Sequence, residues 1–176
     1  VGQEAAGALH AAYDASSSRQ EALRLIHRDI KPANIQLTPS GDVKLLDFGV
    51  AKAKRKETLT ETGAFVGTLR YASPEQVRGI SPTPATDVYS AGVILYELVT
   101  GTHPQEADGM ASLMMAIVNT PPRAVSEIRR DLPHGLAQMI HAMLAKRPEE
   151  RPTAMEAAER LEGLYSSLST RVDPGS

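Results

Sequence analysis

The sequence predicts an α+β fold, mainly helical, with a short β-hairpin in its N-terminal third. Three observations predict it. Two brief apolar runs, Ile35 to Leu37 and Val43 to Leu46, flank Thr38-Pro39-Ser40-Gly41-Asp42, a segment with the composition of a hairpin turn. From Thr86 onward the chain is apolar on nearly every face, through Val88, Tyr89, Ala91, Val93, Ile94, Leu95 and Leu98. A helix of that kind belongs inside a core. Amphipathic stretches then recur at Met110 to Val118, Leu136 to Leu144 and Thr153 to Leu168.

The remaining elements follow in chain order. Gln3 to Tyr13 is alanine-rich and reads as a helix. Asp14 to Arg24, with Ser16, Ser17 and Ser18, reads as a surface insertion. Leu25-Ile26 is expected as a short strand. Between Lys52 and Phe65 hydrophobic periodicity disappears, leaving basic residues and threonines in a loop. Gly101 ends the central helix as a C-terminal stop. Met110, Met114, Met115, Met139 and Met143 read as core filler. Arg171 to Ser176 is polar and contains Pro174-Gly175, so it reads as a frayed end or linker.

Composition narrows the function classes. A chain of 176 residues fits one domain and buries roughly 70% of its unfolded surface. A net charge of −2 gives no drive toward nucleic acid or an anionic membrane. The absence of cysteine excludes disulfides and thiolate metal sites. Val1 to Ala12 lacks the basic start and apolar core of a signal peptide. Ala91 to Val99 is too short to cross a bilayer and contains Glu97. The expectation is a soluble, cytoplasmic domain with no nucleic-acid partner and no membrane contact from this segment.

The chemistry concentrates in two motifs, His27-Arg28-Asp29-Ile30-Lys31-Pro32-Ala33-Asn34 and Asp47-Phe48-Gly49. They supply a proton acceptor, a lysine able to face a phosphate and two hard oxygen ligands. Asn34 lies five residues after Asp29, and Asp47 thirteen after Asn34. In motif and spacing the chain resembles the protein kinase family, on its serine/threonine side. The resemblance implies a protein-kinase-like fold represented by its C-terminal lobe. The 26 residues before His27 hold no G-x-G-x-x-G, no strand lysine and no lysine at all, so the N-terminal lobe is expected to be absent from this segment. Residues 1–168 are then the C-terminal lobe and 169–176 a tail or linker.

The resemblance also implies ATP and Mg²⁺ as cofactors, protein substrates, and a role for each matching residue. Asp29 is expected as the base and Lys31 as the γ-phosphate contact, with Thr68 bridging the lysine and the base. Asn34 and Asp47 are expected as the magnesium ligands. Gln36 stands where the family places an apolar floor to the adenine pocket, a departure that leaves an amide in need of a partner. His27 and Phe48 resemble two members of the family's hydrophobic column. Asp87 is expected to anchor the catalytic loop, and Glu75 in Ser73-Pro74-Glu75 to pair with Arg151. The bacterial members imply that Thr60 and Thr62 become phosphorylated and bridge Arg28 and Lys52. The alternative reading is a truncated, non-catalytic kinase-like module that binds peptides or partners.

Overall fold

In the computed structural model the described residues are 26–39, 43–46 and 67–169. The expected helix at 3–13, the insertion at 14–24, Leu25 and the loop at 52–65 lie outside them. So do Asp47, Phe48, Lys52, Thr60 and Thr62, and residues 170–176.

Strands β1 (Ile35–Leu37) and β2 (Val43–Leu45) pair antiparallel, with Ile35 opposite Leu45, Gln36 opposite Lys44 and Leu37 opposite Val43. β2 stops one residue before the expected Leu46, yet the Leu46 N–H still donates to the Asn34 carbonyl at 2.8 Å. Ile26 is not in a strand. β1 and β2 pair only with each other, which leaves it no strand partner among the described residues.

Among the described residues the helices that follow are α1 (Pro74–Val77), α2 (Pro84–Thr100), α3 (Met110–Asn119), α4 (Val125–Ile128), α5 (His134–Met143) and α6 (Ala154–Ser169). α2 opens with proline at its first turn and stops at Gly101, whose φ of 73° favours a residue without Cβ. The buried side chains of α2, among them Val88, Tyr89, Val93, Tyr96 and Val99, pack on Leu136, Ile140 and Met143 of α5 and on Leu161 of α6. Gly92 lets α2 and α5 approach closely: a Cβ there would sit 2.9 Å from the Cβ of Met143. A smaller cluster of Leu69, Leu113 and Ile117 joins α3 to the segment before α1.

Two core assignments are corrected. Leu98 is 46% exposed and Met115 64% exposed. Both sit on helix faces that no described element covers, whereas Met139 and Met143 do fill the core. The helices α1 and α4 and the 3-10 turns Pro32–Asn34 and Pro148–Glu150 were not expected, because a single turn carries no readable period. None of the helices among the described residues is long and apolar enough to cross a membrane. The architecture is α+β and mainly helical, with one hairpin beside the segment that carries the motif residues.

Candidate active site

The motif segment is fastened to the first turn of α2. The N–H groups of His27 and Arg28 donate to Asp87 Oδ2 and Oδ1 at 2.7 and 2.9 Å. Burial pushes the Asp87 carboxyl above its ordinary range, and those two N–H donors pull the other way. Arg28 has a φ of 66°, the one positive value at a non-glycine among the described residues. Its strain is held by bonds on both sides, because the Arg28 carbonyl accepts from Gln76 Nε2 at 3.0 Å. His27 Nε2 lies 3.1 Å from the Leu46 carbonyl. A carbonyl can only accept, so that nitrogen carries the proton and ties the segment to the end of the hairpin.

Past this turn four motif side chains converge. Lys31 Nζ lies 3.1 Å from Asp29 Oδ2 and donates to Thr68 Oγ1 at 3.1 Å. The 3-10 turn Pro32–Asn34 swings the buried Asn34 back toward Asp29. Asn34 Nδ2 donates to the Asp29 carbonyl at 2.8 Å and to Asp29 Oδ2 at 3.2 Å. With its amide hydrogens so used, the Asn34 oxygen is the atom left for a hard cation. A cavity of about 360 Å³, lined by Lys31, Pro32, Ala33, Gly67, Thr68 and Tyr71, opens beside the group. Gln36 is exposed on β1 across from Lys44.

The far wall of that cavity is anchored through Tyr71. Its hydroxyl donates to Glu97 Oε2 at 2.8 Å, and Arg70 reaches Glu97 Oε1 at 3.4 Å. Burial, followed by the Glu97 contact, pushes the Tyr71 phenol up to about 12. Ser90 Oγ donates to the Tyr71 carbonyl at 2.7 Å. His103, buried, holds the Arg70 carbonyl through Nε2 at 2.8 Å.

Helix α1 follows directly. Ser73 caps it, accepting the Gln76 N–H at 3.3 Å while its own N–H donates to Gln76 Oε1 at 3.0 Å. Glu75 meets Arg151 in two bonds of 2.7 and 2.8 Å and accepts from the Thr86 hydroxyl at 2.8 Å. Burial alone would raise the Glu75 carboxyl, but the Arg151 guanidinium holds it below the usual carboxylate range. Arg151 also donates to the carbonyls of Ala145, Ala85 and Lys146 and lies 4.9 Å from the Tyr89 ring centre.

The structure thus brings Asp29, Lys31, Asn34 and Thr68 together, places His27, Arg28 and Asp87 beneath them, and joins Glu75 to Arg151. Lys31 contacts both Asp29 and Thr68, so the three side chains expected to act together are neighbours. Sequence reasoning missed Gln76, Tyr71, Glu97 and His103. Only Gln76 had a local signal, the Ser73-x-x-Gln76 capping pattern.

Comparison with known proteins places the chain. The family described as the protein kinase domain matches residues 20–161. Serine/threonine-protein kinase PknA of Mycobacterium tuberculosis is 43% identical over 127 residues, covering 72% of this chain and 29% of that protein. A probable serine/threonine-protein kinase of Corynebacterium efficiens, CE0033, is 42% identical over 154 residues, or 84% of this chain and 23% of that protein. Tyrosine-protein kinase MasK of Myxococcus xanthus is 37% identical over 164 residues, 93% of this chain and 25% of that protein. The chain therefore spans less than a third of the length of these relatives. With most of its residues inside the family match and its relatives named as bacterial kinases, the chain belongs to the protein kinase domain family, as a bacterial-like member of the eukaryotic-type serine/threonine kinases.

Proposed function

We propose that the protein transfers the γ-phosphoryl group of ATP to serine or threonine hydroxyls of protein substrates in the cytoplasm, where ATP is supplied. Residues 1–168 form the lobe that carries the catalytic loop and binds the substrate, and 169–176 form a tail. The observation that carries this reading is the meeting of Asp29, Lys31 and Thr68 at 3.1 Å contacts beside an open cavity.

In this reading Asp29 orients the acceptor hydroxyl and takes its proton late, as the new O–P bond forms and the bond to the ADP oxygen breaks. Lys31, steadied between Asp29 and Thr68, offsets negative charge gathering on the transferred group. Asn34 gives its amide hydrogens to Asp29, which fixes the base and turns a neutral oxygen outward for magnesium. Asp47 supplies the second ligand. Bound magnesium neutralises phosphate charge. The glycine-rich loop and strand lysine, which residues 1–26 do not contain, are supplied by an N-terminal lobe outside this segment. Control is assigned to phosphorylation of Thr60 and Thr62, whose added negative charge would pair with Arg28 and Lys52.

The test is a phosphate-transfer assay on an active preparation containing residues 1–176, with phosphoamino-acid analysis and phosphosite mapping. Asp29→Asn lowers turnover by about 10²–10⁴ with little change in nucleotide affinity, while Asp47→Asn weakens both. Product carrying phosphotyrosine alone would replace the serine/threonine assignment with the acceptor named for MasK. Normal turnover in Asp29→Asn would end the mechanism.

A further inference from the structure

We propose that Gln76 is a positioning residue for phosphoryl transfer, its side-chain amide tying the strained turn before Asp29 to helix α1. The proposal rests on the role just given to Asp29.

Arg28 is forced to a φ of 66° directly before the base. A backbone so placed persists only when its surroundings hold it. Its N–H is held by Asp87 at 2.9 Å, and its carbonyl by Gln76 Nε2 at 3.0 Å, from a residue 48 positions away. The cap of α1 uses only the other end of the same amide, where Gln76 Oε1 accepts the Ser73 N–H at 3.0 Å. The orientation is fixed by chemistry, since turning the amide over would set N–H against N–H and oxygen against oxygen. One planar group therefore reads the start of α1 on one side and the catalytic turn on the other. α1 is itself locked to the lobe through Glu75 and Arg151. The carbonyl before the base is referenced to that lock, and Asp29 cannot drift without breaking the Gln76 bond.

Gln76→Glu separates the two functions. The carboxylate still caps Ser73 and suits a helix N-terminus, but it turns an acceptor toward the Arg28 carbonyl. Once protonated, its O–H can donate there and restore the tie. The charged groups around that position are Arg28 and, through it, Asp87 on α2, with Glu75 on α1 and Arg78 directly after it.

The experiment measures peptide phosphorylation by the complete kinase against pH, with hydrogen exchange followed over residues 26–34. At about pH 8 the Gln76→Glu kcat falls between about 10- and 100-fold, with KM for peptide and nucleotide within about twofold. Its ratio to wild type climbs toward unity as pH falls and the carboxyl protonates. Gln76→Ala falls without that recovery. Exchange across residues 26–34 speeds up in both variants, while α1 keeps its protection in Gln76→Glu. A pH-independent Gln76→Glu activity near wild type, or unchanged exchange over 26–34, overturns the proposal. The exchange arm needs no turnover, so it decides even if the phosphate-transfer reading itself fails.

Discussion

Replacing Arg151 by methionine tests the most buried ion pair among the described residues. The two side chains are 0% and 4% exposed, for Arg151 and Glu75 respectively. A guanidinium has five N–H donors, and here all of them have acceptors: two on Glu75 and one each on Ala145, Ala85 and Lys146. Methionine fills similar volume but leaves a carboxylate whose sole remaining side-chain donor is Thr86. Breaking a buried pair from one side destabilises by about 3–5 kcal/mol, a large share of the roughly 5–15 kcal/mol that holds a domain folded. The pH dependence should also invert. In the wild type the folded Glu75 carboxyl is lowered, so its contribution is present above its unfolded pKa and is lost as pH falls through the folded value. Without Arg151 burial dominates, the folded value moves above the unfolded one, and stability instead falls as pH rises through it. Urea denaturation across the mildly acidic range, comparing wild type, Arg151→Met and Arg151→Met/Glu75→Gln, measures this. The double variant should recover part of the loss, because no charge is then left stranded. A loss below about 1 kcal/mol, the size of an exposed pair, with an unchanged slope would refute the reasoning.

Three further outcomes follow from the packing. Asp87→Asn leaves one of the two N–H groups of His27 and Arg28 facing an amide donor, so denaturation should show a loss of about 1–3 kcal/mol and turnover should drop with it. Two glycine-to-alanine changes should have opposite signs in the same assay. Gly92→Ala should destabilise by about 1–3 kcal/mol, since the new methyl meets Met143 at 2.9 Å, whereas Gly163→Ala, with nothing within 4 Å, should gain up to about 1 kcal/mol of helix propensity. His141 Nε2 accepts the Val125 N–H at 3.0 Å, and burial lowers the ring's affinity for a proton. Its folded pKa lies below the unfolded 6.5, so stability should decline as pH falls below that value, and His141→Gln should flatten the decline measured by urea titration.

The motif segment of this molecule was legible because the chemistry it suggests demands particular residue types within one short loop. Asp29, Lys31 and Asn34 are close in sequence and remain close in space. The central helix was legible from its nearly continuous apolar run, and Gly101 from the backbone conformation it permits. What stayed hidden is non-local or too short to have a period. The Gln76 to Arg28 bond spans 48 residues, and nothing near Gln76 announces its partner. Periodicity marks the apolar face of a helix but not what covers it, so Met115 was assigned to a core that α3 does not offer it. α1 and α4, with four residues each, show no repeat at all. Glu97 entered the sequence reading only as a charge that argues against a membrane span, and its bond to Tyr71 gives it a place in the wall of the site.

Thr86, Ser90 and Glu97 stand at intervals of four and seven along α2, and so share one stripe of an otherwise greasy helix. Each grips the segment from Tyr71 to Glu75: Thr86 the Glu75 carboxylate, Ser90 the Tyr71 carbonyl, Glu97 the Tyr71 hydroxyl. Asp87, one step round the helix, grips the turn at His27 and Arg28. α2 therefore works as a keyed shaft, its teeth spread over about 16 Å of axis. Deleting one residue between Thr86 and Glu97 would twist the teeth on either side of the cut by about 100° relative to each other, so no local adjustment could re-engage both. In the connection from Gly101 to Gly109 buried His103 adds one more grip, on the Arg70 carbonyl, whereas the exposed stretch from Glu106 to Gly109 can change length more freely. Length variation is confined by geometry to the loops, and the shaft fixes how the Tyr71 wall and the Asp29 turn face one another.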